Sequence, residues 1–221
     1  RLIIMKRIIS LFLLITALAS CEKVDPMAMP DDVWVDLGLS VMWAKCNIGA
    51  QSPEEYGCYY AFGETEEKDT YTWDNYQHYT MNEKGEWEGP LHDLLVSRRH
   101  LAGTEFDVAH VTWGNGAVMP TSDEFQELFS KCTRRDAIYN GVKGNKFTGP
   151  NGNSIFLPFC GAHNEDGFTG AEEYGYYWSS KVKTSGVAGY VEYGGAWLQG
   201  NFINFGLDFC MGFAVRPVKY K

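Results

Sequence analysis

The chain has no apolar run of the ~20 residues that a membrane-spanning helix needs; the stretch Ile8–Ile15 falls well short. Basic charge is also scarce. Nineteen lysines and arginines face 28 aspartates and glutamates, a net charge of −9, and an acidic surface repels phosphate backbones and anionic headgroups. Nucleic acid is thereby set aside as a partner. None of the six cysteines forms a Cys-x-x-Cys pair, which removes the zinc and thiol-redox motifs built on that spacing. No two histidines stand four apart. Glu64, Glu66, Glu67 and Asp69 lack the spacing of a calcium-binding hand. No metal or other cofactor is expected, and the acidic stretch reads as a solvated loop.

What is present is apolar and aromatic material, 45% hydrophobic and 15% aromatic over 221 residues, with 24 glycines. That is enough for one domain with a sizeable core, built from short strands and tight turns. The N-terminus carries an address. Lys6 and Arg7 precede the apolar run, which ends in Thr16-Ala17-Leu18-Ala19-Ser20-Cys21, a secretory signal peptide by charge, length and cleavage site. Leu18-Ala19-Ser20-Cys21 has the pattern of a bacterial lipobox, so residues 1–20 are expected to be removed, with Met5 as the start. Cys21 then becomes a lipidated N-terminus. The expected location is the cell envelope, lipid-anchored, at the outer membrane and facing either periplasm or surface. Removing Arg1, Lys6 and Arg7 leaves 16 basic against 28 acidic residues, a net charge of −12. Membrane contact is therefore expected only through acyl chains at Cys21. Residues 21–32 read as a tether and 33–221 as a single domain. Cys46, Cys58, Cys132, Cys160 and Cys210 remain, an odd number, for which one or two structural bridges plus buried thiols are expected.

The clearest internal signal is a helix over about 121–132. Thr121 and Glu124 fit a capping box, and Phe125, Leu128 and Phe129 share one face. Val33, Val35, Leu37, Leu39, Val41 and Trp43 alternate at a strand period, with Gly38 marking a turn or bulge. Further strands are expected at 58–62, 176–180, 188–193 and 212–218. A hairpin is expected over 141–157 around Asn151-Gly152, a short helix over 91–101, and a polar loop over 161–175. Arg216, in the last strand, is expected to pair with a carboxylate. The fold class is α+β, with one main helix and long loops.

Seven segments in order resemble the Fibrobacter succinogenes major paralogous domain family of bacteria. They are V-D-L-G-L-S-V-M-W-A-K-C-N-I-G-A at 35–50, Y-Y-A-F-G-E-T-E at 59–66, D-V-A-H-V-T-W-G at 107–114 and M-P-T-S-D-E-F-Q-E-L at 119–128, followed by T-G-P-N-G-N-S-I-F-L-P at 148–158, G-Y-Y-W-S-S at 175–180 and G-F-A-V-R-P-V at 212–218. A fainter similarity links H-V-T-W and M-P-T-S-D-E-F to the formylglycine-generating enzyme family. That similarity implies a C-type-lectin-like mixed β-sheet whose loops carry any ligand site. The chain departs from the first family at Ala117 and Val118, where an aromatic and an arginine are common, so no role of those two carries over.

The resemblance points to a non-catalytic lectin-like domain that binds a glycan or another surface ligand. Stacking on sugar rings needs exposed aromatic faces beside amides, and Tyr193, Trp197, Asn201 and Asn204 supply both in a glycine-rich stretch. Trp73 and Tyr76 form a second candidate surface. Each aromatic taken singly belongs more often to a core than to a platform. Two other functions remain open. One is a structural or adhesion role in a surface assembly with another surface protein. The other is a formylglycine-generating-like oxidase, for which Cys160 and Cys210 would have to work together.

Overall fold

The alternating apolar residues from Val33 to Trp43 fold back on themselves. In the computed structural model, which describes residues 29–221 except 79, 85–86, 99, 185–189, 198–201 and 204–206 (backbone alone at 80–81, 87, 96, 182–184, 190–197, 202–203 and 207), they form a hairpin of Trp34–Asp36 and Val41–Ala44. Gly38, at φ +76°, lies in the connection. Val33, Leu37, Leu39, Val41 and Trp43 are all buried.

This hairpin is half of a four-stranded antiparallel sheet completed by Val218–Tyr220 and Ala117–Val118. A second sheet runs in the order Phe202–Ile203, Tyr190–Trp197, Tyr176–Thr184, Phe213–Ala214, Tyr59–Tyr60, with Leu207–Asp208 also beside Tyr190–Trp197. Tyr177 and Ala214 pair in parallel there. Thr133–Tyr139, Val142–Thr148 and Ser154–Pro158 form a third sheet, and Cys160–Asn164 with Gly167–Ala171 a small hairpin. Three α-helices stand among the described residues: α1 (Pro90–Arg98), α2 (Val108–Trp113) and α3 (Ser122–Lys131). The architecture is therefore mixed α+β, dominated by small antiparallel sheets. No helix among the described residues is long and apolar enough to cross a membrane.

Helix α3 begins where its capping box places it. Thr121 Oγ1 accepts from Glu124 N at 3.2 Å, and Glu124 Oε2 accepts from Thr121 N at 2.6 Å. Phe125 and Leu128 are fully buried, with Phe125 5.2 Å from Trp43, while Phe129 stacks on Phe147 at 5.5 Å. Helix α2 was not expected, although Asp107 announces it as an N-cap. The buried Asp107 carboxylate collects four backbone amides. Oδ1 takes Ala109 N at 3.0 Å, His110 N at 3.2 Å and Met119 N at 3.1 Å, and Oδ2 takes Gly103 N at 2.8 Å. Burial pushes its pKa above the ordinary aspartate value, against the pull of those donors. Neighbouring Ala117 and Val118 belong to different apolar clusters, so the four-stranded sheet lies between two cores.

The expected disulfides are not formed: none of the five described cysteines is in a disulfide bond, and four of them are buried. Cys46 and Cys210 fill one cluster and Cys132 and Cys160 the other, as small hydrophobes. The acidic loop is also less solvated than expected. Glu64 is buried and holds Lys68 Nζ at 2.6 Å, and that ammonium also donates to Asn75 O at 3.0 Å.

The last expected strand, 212–218, is divided between the two larger sheets. Phe213–Ala214 belongs to one and Val218–Tyr220 to the other, because Pro217 offers no N–H to continue a ladder. Arg216 sits at the crossing, fully buried, and among the described residues no carboxylate pairs with it, contrary to expectation. Instead Nε donates to Asn47 Oδ1 at 2.7 Å, and Nη1 donates to Ala44 O at 3.1 Å and Lys45 O at 2.6 Å. The backbone reinforces this: Ala44 N donates to Pro217 O at 2.9 Å and Ile48 N to Val215 O at 3.1 Å. Burial pulls the guanidinium pKa below its usual value, and Tyr177 beside it opposes that shift.

Arg216→Ala should cost about 3–5 kcal/mol, because Asn47 Oδ1 and two carbonyls lose their donor inside the protein. Arg216→Lys should recover little of this, since an ammonium lacks the planar fork. Denaturant unfolding of both variants checks this, and a variant as stable as the parent would contradict it.

Candidate functional site

The region expected to be a polar loop, 161–175, contains a hairpin instead. Cys160–Asn164 pairs with Gly167–Ala171, His163 opposite Phe168. Its turn is held by Asp166 N donating to Asn164 Oδ1 at 3.0 Å. Asn164-Glu165-Asp166-Gly167 was the sequence signal for it. The hairpin is fastened to the six-stranded sheet by paired backbone bonds between His163 and Gly212, each 2.9 Å. Only glycine suits position 212, because a Cβ there would lie 2.6 Å from the Tyr71 ring.

This arrangement gathers five rings. His163 lies 4.7 Å from Tyr59, 5.2 Å from Tyr71 and 4.9 Å from Phe168, and Phe168 lies 5.6 Å from Tyr59 and 6.5 Å from Tyr56. The Tyr59 and Tyr71 hydroxyls are turned inward. Tyr71 OH donates to Tyr59 O at 2.5 Å, and Tyr59 OH donates to Cys160 O. Phe168 is 47% exposed, while Tyr56 and His163 are half-buried. Rings fixed from behind and open in front give a stacking surface for an apolar or sugar face. Asn47 ties this surface to the core: its Nδ2 donates to Tyr56 O at 2.8 Å while its Oδ1 holds Arg216.

The residues expected to bind ligand fare differently. Tyr76 is a correction. It is buried, its hydroxyl donates to Phe62 O at 2.6 Å, its ring stacks on Phe209 and Lys68 Nζ lies 5.7 Å from the ring centre, so the ring is no open platform. Trp73 is half-buried in a short 3-10 turn, edge-on to Tyr76 at 5.6 Å. Tyr193 and Trp197 lie on the strand Tyr190–Trp197, where Lys183 pairs with Tyr193 and Tyr176 with Trp197, but their side chains lie outside the described set. Asn201, Asn204 and the lipid-anchor residue Cys21 lie outside the described residues. Phe168, His163 and Tyr56 were missed because no motif joins residues so far apart in sequence.

Each of the five described cysteines has its thiol pKa raised by burial. Burial pushes Cys58 up to about 12, with Glu67 adding to the shift, and pushes Cys160 up to about 11 and Cys210 up to about 12. A depression of about 580 Å³ along the outer side of α3 is shallow, and its acids are engaged. Glu127 holds Lys131 at 2.8 Å and Ser40 N at 3.0 Å, and Asp123 holds Lys181 at 2.7 Å.

No protein-family model, no curated protein and no solved structure matches this chain.

His163 and His78 are both held below the ordinary histidine pKa by burial. The folded protein therefore binds their protons more weakly than the unfolded chain does. Their neutral forms support the fold at full strength above the ordinary value near 6.5, and this support is lost as pH falls from there toward the lower folded values. The parent should lose denaturation free energy between pH 7 and 5, and His163→Gln should flatten part of that slope. An unchanged slope in the variant would contradict the assignment.

Proposed function

We propose that the chain is a cell-envelope lipoprotein, lipidated at Cys21, whose C-type-lectin-like domain binds a glycan or another surface ligand without catalysis. The observation that carries the binding reading is the exposed ring of Phe168, backed by Tyr56, Tyr59 and His163. A phenylalanine left about half exposed beside a hairpin turn keeps apolar area in water, and a stacked sugar face would cover it. Burial that raises the thiol pKa of Cys160 and Cys210 supports the non-catalytic reading, because the thiolate is the reactive form. The lectin-like reading is supported by two sheets that share a C-terminal segment and by a domain largely made of loops and short strands. The acidic sequence favours neutral or cationic ligands over anionic ones.

A glycan array probed with the purified protein should return a defined set of ligands. Phe168→Ala should weaken the best of them by about tenfold or more, roughly the worth of one aromatic stacking contact. Its thermal unfolding should stay close to the parent's, as expected for an exposed residue. Binding unaffected by Phe168→Ala would remove this surface, and the absence of any glycan ligand would remove the glycan reading.

A further inference from the structure

The segments that supply the gathered rings, residues 53–60, 64–71 and 160–174, hold ten aspartates and glutamates and a single lysine. That lysine is engaged on the inner side. Lys68 Nζ lies 2.6 Å from Glu64 Oε2, 5.9 Å from the centre of the Tyr71 ring and 5.7 Å from that of Tyr76. The protein thus seats one ammonium of its own over aromatic faces beside a carboxylate, the arrangement that the negative face of a ring favours.

The outward rings repeat this arrangement without the cation. Tyr56 and Phe168 stand 6.5 Å apart with their planes at 49°, both partly open to solvent, and among the described residues no cation lies over either ring. Carboxylates flank them on two sides. Exposed Glu67 is fixed by its Oε1, which accepts from Tyr59 N at 3.2 Å. Glu172 follows the strand that carries Phe168, and its N donates to Phe159 O at 2.8 Å. Burial and then the Glu172 charge push the Tyr56 hydroxyl above its ordinary pKa, so that carboxylate lies beside the ring. Lys143 reaches Glu172 only at 3.9 Å, and with both side chains more than half exposed, solvent screens the contact.

We propose that the glycan taken by this surface is an amino sugar with a free ammonium group, its ring face on Phe168 and its charge among the rings and the carboxylates of Glu67 and Glu172. This rests on the glycan reading above and adds to it the charge of the ligand. The rings attract a cation through their negative faces, and the carboxylates add a Coulombic pull that strengthens as the bound sugar displaces water. An N-acetylated sugar offers the same apolar face and loses the charge. An acidic sugar meets like charge on both flanks.

Titration calorimetry with oligomers of β-1,4-linked glucosamine and with their fully N-acetylated counterparts, matched in length, isolates the charge. The glucosamine oligomer should bind the parent about tenfold tighter or more, and the advantage should shrink as salt is raised. Glu67→Gln with Glu172→Gln should remove most of the preference while thermal unfolding stays near the parent's, since a glutamine at 67 still offers an acceptor to Tyr59 N. Glu172→Gly should remove part of it with no loss of stability, because glycine suits the φ of +63° at that position. Equal binding of the two oligomers would overturn the charge assignment and leave the glycan reading standing. A preference that survives the double variant would overturn the role of these carboxylates. Binding of neither oligomer would also overturn the proposal, and the glycan array then decides separately whether the surface takes a sugar at all.

Discussion

A buried guanidinium that takes its acceptors from neutral groups around it removes their freedom to move. Arg216 imposes this constraint. It is fully buried where the chain passes from one sheet to the next, and it draws Asn47 and the carbonyls of Ala44 and Lys45 around itself. Pro217 makes the passage necessary by ending one ladder, and its own carbonyl then serves Ala44 N. The residue that closes the core thus also joins the sheets.

The candidate site inherits its geometry from this junction. Asn47 faces Arg216 with its oxygen and the Tyr56 carbonyl with its nitrogen, so Tyr56 is positioned by the same side chain that completes the buried network. On the other flank, Gly212 lies four residues before Arg216, and it bonds His163 and makes room for Tyr71. The aromatic surface around Phe168 is therefore carried on both sides by the C-terminal segment. The hydroxyls of Tyr59 and Tyr71 are satisfied inside the protein, so these two residues offer ring and not hydroxyl chemistry.

Local signals in the sequence foretold local structure. Thr121 and Glu124 place the start of α3, Phe125 and Leu128 give its buried face, and the period-two run from Val33 gives the first hairpin, because each depends on neighbours a few residues away. Asp107 and Asn140-Gly141 are equally local signals, for α2 and for the 133–148 hairpin. The partners of Arg216 were not legible: a buried arginine predicts compensation, but the choice between an acid and carbonyls depends on a segment some 170 residues away. The same holds for Phe168, whose neighbours Tyr56 and Tyr59 lie over 100 residues earlier. Tyr76 shows the converse. Composition offered it as a platform, and only packing against Phe209 and the Phe62 carbonyl reveals a core residue.

If Arg216 fastens the two larger sheets into one cooperative unit, native-state hydrogen exchange measures that directly. Ala44 and Ile48 donate to Pro217 and Val215 on one side of the junction, and Phe62 and Leu101 donate to Phe209 and Ser180 on the other. These four amides should exchange with a common free energy equal to that of global unfolding. Exchange of one pair through a distinctly cheaper opening would mean that the sheets unfold separately, and would contradict the central role of the arginine.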